Sequence, residues 1–131
     1  MPVGWGDVSF CIVEPELRLR ETLRALLSVE FEARILTSAT LAGLLAQAEL
    51  VVPPAIVIVG DNPGTPDGIG EIVAQVHKAF PQASVIALFA KDNRHRFSSA
   101  VALLKGPLDA TRLIETIHHL GPHHPYETRR A

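Results

Sequence analysis

Residues 54–68, PAIVIVGDNPGTPDG, decide how the rest of the chain is read. Ala55-Ile56-Val57-Ile58-Val59 is an apolar run dominated by β-branched residues. Such a run without polar alternation predicts a strand buried on both faces. The nine residues after it hold three glycines, two prolines and two aspartates, the composition of a loop. In an open α/β sheet, ligands sit beyond the carboxyl ends of the strands, so this loop marks the first place to look for a site.

Outward from that stretch the same alternation of strand and helix recurs. Upstream, VSFCIV at 8–13 predicts the first strand, ended by Glu14-Pro15-Glu16. Pro15 suits a first helical turn, where its missing N–H costs nothing, and the two glutamates suit the positive end of the helix dipole. Leu19, Leu23, Leu26 and Leu27 form one stripe of a helix running to about residue 29. Arg18, Arg20, Glu21 and Arg24 fall largely off it, as a solvated face does. Residues 31–36 predict the second strand, with Ala33, Ile35 and Leu36 as its apolar members. Thr37, Ser38 and Thr40 are capable N-caps for a short helix over 41–50 built on Leu41, Leu44, Leu45 and Ala48. Downstream, Ile69, Ile72, Val73 and Val76 repeat at helical spacing over 69–80, with Pro81 after the stop. SVIALF at 84–89 predicts a fourth buried strand and residues 101–104 a fifth. Asp109 is positioned to cap a last helix whose inward residues are Leu113, Ile114, Ile117 and Leu120, closed by Gly121-Pro122.

Alternating strands and helices imply a parallel sheet with helices on both faces. Right-handed crossovers and five strands favour the doubly wound, flavodoxin-like order 2-1-3-4-5. The domain is expected to span 1–121, with 122–131 a flexible C-terminal tail. At 131 residues and 47% hydrophobic content the chain is one domain with a real core. A net charge of −2 without charge blocks leaves no nucleic-acid footprint. No stretch reaches the ~18 apolar residues of a membrane span. The single cysteine, Cys11, excludes an internal disulfide and lies in an apolar run, which predicts a buried, inert thiol and a cytoplasmic protein.

With its strands placed, the chain resembles the receiver domain of two-component response regulators from residue 8 to about 121. The resemblance rests on Pro54-Ala55-Ile56-Val57-Ile58-Val59 before the loop, Asp67-Gly68 at its end, Lys105 after the fifth strand and the helix from Asp109. It implies a CheY-like fold in which a working member phosphorylates an aspartate at the end of the third strand. Such a member also carries an acidic pair for Mg²⁺ after the first strand, a Ser or Thr after the fourth and a Lys after the fifth. Here the acidic pair is Glu14-Pro15, and the phosphoacceptor position, counted back from Asp67-Gly68, is Gly60, with Asp61 next. The hydroxyl position is Phe89, and only Lys105 matches, with Gly106 after it where a proline is expected. Mg²⁺ demands hard oxygen ligands in an octahedron. A charge pair at ~4 Å is worth about 4 kcal/mol at an effective dielectric of ~20, so losing one or two carboxylates weakens Mg²⁺ binding by orders of magnitude.

The expectation is therefore an atypical, pseudo-receiver module, not an enzyme and with no cofactor, acting through a protein partner or as a homodimer. Residues 91–105 are too few for the family's full fourth helix, which is expected to be shortened or missing. That directs attention to a contact face of Phe97, Val101, Leu103, Leu113 and Ile117. The alternatives are a phosphoryl-accepting regulator using Asp61 with Glu14, Lys105 and Mg²⁺, or a small-molecule binder in a pocket made apolar by Phe89 and Gly60. Asp61 and Asp67 also fit plain turn chemistry in Asn62-Pro63-Gly64 and Pro66-Asp67-Gly68. His118, His119, His123 and His124 fit a frayed helix end better than a metal site, since no cysteine accompanies them. No Gly-rich phosphate cradle follows a strand, and no nucleophile–base set is visible.

Overall fold

The computed structural model of the protein describes residues 3–48, 54–61, 68–89, 100–104 and 109–120. Along the chain these form β1 (Val3–Val13), α1 (Leu17–Glu30), β2 (Phe31–Ser38), α2 (Leu41–Ala48) and β3 (Ile56–Gly60). They continue as α3 (Gly68–Ala79), β4 (Ser84–Phe89), β5 (Ala100–Leu104) and α4 (Ala110–Leu120). The five strands make one parallel sheet in the order β2-β1-β3-β4-β5.

Period-two alternation sorts the strand residues between two cores. On one face Phe10, Ile12, Ile58 and Leu88 meet Leu23 and Leu27 of α1 and Leu113 and Ile117 of α4. On the other, Cys11, Val13, Val59 and Phe89 meet Leu44 of α2 and Val73 and Val76 of α3. All five residues of β3 are buried, which is why its sequence shows no polar alternation.

Several boundaries depart from the sequence expectation. β1 begins at Val3 rather than at residue 8, because Val3 and Gly4 pair with Phe31 and Glu32 of β2. A register shift between Gly4 and Ser9 then brings Ser9 opposite Arg34. α1 starts at Leu17, so Pro15 lies outside the first turn, ahead of the extended N-cap Glu16. Leu103, Leu113 and Ile117, expected on a contact face, lie inside the first core. Leu113 and Ile117 are fully buried and Leu103 nearly so, because the apolar stripe of α4 packs into the first core that Leu103 also joins. Val101 is half-buried against the same core. Phe97 lies outside the described residues, as do the expected loss of a helix between β4 and β5 and the C-terminal tail.

Two helix starts are capped as the residue types suggest. The Thr40 hydroxyl accepts the Gly43 N–H at 3.0 Å, and Asp109 Oδ1 accepts the Arg112 N–H at 3.0 Å. Gly43 packs so closely that an added Cβ would strike the Ser38 hydroxyl. The described part of α2, eight residues, spans about 12 Å, against about 26 Å for the eight residues of β2. Glu32 and Arg34, near the start of β2, are exposed. No helix among the described residues is long and apolar enough to cross a membrane.

Candidate functional site

The carboxyl ends of β1, β3 and β4 bring Glu14, Gly60, Asp61 and Phe89 to one edge of the sheet. Lys105 and Asp67 lie outside the described residues. The register fixes the rest: Val13 is opposite Val59, and Gly60 is opposite Leu88.

Glu14 is wholly buried although it carries a carboxylate. Its position follows from the ladder: its N–H donates to the Ser38 carbonyl at 3.0 Å, which holds it one step past β1. Its Oε2 accepts the Glu16 N–H at 2.8 Å, closing a turn around Pro15. The carboxylate thereby serves the start of α1. Arg20, expected on the solvated face, is half-buried and donates from its guanidinium to the Glu14 carbonyl at 2.8 Å. The sequence holds a signal for it: Arg20 adjoins Leu19 at the border of the buried stripe, one turn into the helix that leaves this edge.

Gly60 is buried and ends β3 with no side chain to offer. Asp61 continues the ladder, its N–H donating to the Leu88 carbonyl at 2.9 Å, and is half-buried. Ile58 belongs to the first core and Val59 to the second, so alternation assigns position 60 to the first face and position 61 to the second. In β1, Ile12 is on the first face and Val13 on the second, which puts position 14 on the first. Glu14 and Gly60 thus share a face. Asp61 belongs to the face of Phe89, which is 3% exposed and packed into the second core.

Among the described residues no group of three His, Cys, Asp or Glu side chains is placed to hold a metal ion. At this edge the Glu14 carboxylate is engaged at the start of α1, Pro15 follows it, and Gly60 brings no side chain, while Asp61 carries the other described carboxylate. His118 rests against the Phe31 ring, centroids 5.0 Å apart, and Phe31 stacks edge-on against Phe10 at 5.2 Å. Cys11 is buried mid-strand, and burial pushes its thiol up to about 12.

No family model matches the chain, and no curated protein matches it. Solved structures do. The chemotaxis protein CheY4 of Vibrio cholerae superposes with a TM-score of 0.74 at 15% identity, covering 88% of this chain and 100% of that one. A CheY-like protein (tadZ) of Pseudomonas aeruginosa gives 0.68 at 18% identity over 88% and 100%. A response regulator receiver domain protein of Clostridium thermocellum gives 0.67 at 20% identity over 86% and 93%. The described chain therefore has the fold of CheY-like response regulator receiver domains.

Proposed function

We propose that this protein is a receiver-fold signalling module that acts by protein–protein contact, without phosphoryl transfer at the carboxyl edge of its sheet. The observation that carries the reading is Gly60, buried at the end of β3 and sharing a face with Glu14. Phosphoryl transfer is mostly positioning and charge neutralisation, so an acceptor must share a face with the group that holds the metal. Asp61, the nearest carboxylate along the chain, belongs to the opposite face. Phe89 supports the same reading, because its ring fills the second core where a receiver presents a hydroxyl.

The test is an amide NMR titration with Mg²⁺, then with Mg²⁺ and beryllofluoride, which mimics a phosphoryl group. The expected outcome is no saturable shift at Glu14, Gly60 or Asp61. Saturable shifts at these amides, lost in Asp61→Asn, would overturn the proposal in favour of an Asp61 acceptor.

A further inference from the structure

The far edge of the sheet carries a second, independent feature. β2 is a terminal strand, and among the described residues nothing pairs with its outer side. In an extended strand the N–H and C=O of one residue point to the same side, and successive residues alternate. The Ser38 carbonyl faces β1, since it accepts the Glu14 N–H. Counting back, Leu36, Arg34 and Glu32 face β1, while Thr37, Ile35 and Ala33 turn their backbone groups outward. The Thr37 carbonyl confirms the phase: it is taken by the Gln47 side chain at 2.9 Å, from α2 and not from β1. At the other end the Phe31 N–H is taken by the Leu27 carbonyl of α1. The open stretch is therefore Ala33 to Ile35.

Charge selects how that stretch can be used. Glu32 and Arg34 flank Ala33 and are both exposed. They lie on one face of the strand, the one that carries Leu36 of the second core. Neither side chain meets an ion-pair partner among the described residues. An edge strand meets its own copy antiparallel about a two-fold axis, an isologous contact. With the axis at Ala33, the two Ala33 residues exchange backbone hydrogen bonds. Glu32 of each copy then stands opposite Arg34 of the other, in the non-hydrogen-bonded pairs where side chains approach most closely. An axis at Arg34 sets like charges against each other. An axis at Ile35 puts Arg34 opposite Leu36 and Glu32 opposite Ser38, so neither charge meets an opposite one.

We propose that the β2 edge is a self-association site, where a second copy of this chain pairs antiparallel about Ala33 and joins the two sheets through reciprocal Glu32–Arg34 contacts. The proposal gives the protein-contact reading a partner yet stands on β2 alone. A beryllofluoride response would overturn that reading and leave this one intact, and a monomer would do the reverse.

The test is sedimentation equilibrium over a concentration series, with folding of each variant checked by circular dichroism. The wild-type chain is expected to show a monomer–dimer equilibrium that weakens with salt. Arg34→Glu and Glu32→Arg alone should each weaken it by about tenfold or more, since both cross-strand pairs turn from attraction to repulsion. Mixed together, the two single variants should dimerise with each other, and the double exchange Glu32→Arg/Arg34→Glu should restore self-association. A wild-type chain that stays monomeric, a dimer untouched by either single variant, or a mixture that does not associate would overturn the proposal.

Discussion

Cys11 shows how far one side chain constrains the molecule. It sits in β1 between Phe10 and Ile12, opposite Leu36 and Val57, and burial alone raises its thiol to about 12 from 9.0. The neutral form is the one that folds. Between those two values the unfolded chain loses the proton while the folded chain keeps it, so stability falls as pH rises. The slope from this group is about 1.4 kcal/mol per pH unit. Comparing denaturant unfolding of wild type and Cys11→Ala should show this: the variant is less stable at pH 8, and the gap closes as pH climbs above 9. A gap that stays constant from pH 8 to 11 would refute the assignment. The buried thiol was legible because an isolated cysteine inside an apolar strand has nowhere polar to go. Glu14 was not legible in the same way. Nothing in Glu14-Pro15-Glu16 says that the first glutamate folds back onto the backbone N–H of the second. That contact depends on the chain's turn after the strand, not on residue types.

Among the elements, strands and helices were readable wherever one periodicity dominated. β4 matches its expected span because SVIALF has no competing signal. Boundaries moved where long-range pairing overrode composition, as at Val3 and Gly4, whose Gly-rich surroundings read as a lead-in until β2 supplied partners. Capping is the local term most open to test. Asp109 accepts the Arg112 N–H at the start of α4, whose inner stripe packs into the first core. Asp109→Ala should cost about 1 kcal/mol, and Asp109→Ser far less, in urea unfolding. Equal losses for both would assign the residue a role other than the cap. Leu113 and Ile117, expected on a contact face, are buried for a physical reason. The residues that give α4 its periodicity are the ones that fill the core, so they are not available to a partner.

For the whole molecule, strand order was within reach of the sequence because βα alternation and right-handed crossovers leave few arrangements. Only part of the site was legible. Counting from Asp67-Gly68 put Gly60 at the end of β3, and the structure agrees. Which face each carboxylate takes needed the register. The outward phase of Ala33 and Ile35 on β2 has a consequence for solvent exchange. Amides of β3, hydrogen-bonded within a strand buried on both faces, should trade hydrogen for deuterium only when the entire domain opens. Those of Ala33 and Ile35 point away from the sheet and should exchange quickly in dilute solution. As concentration rises and copies join, these two should slow while the β3 amides keep their pace. A single pair of backbone positions would then report association separately from folding.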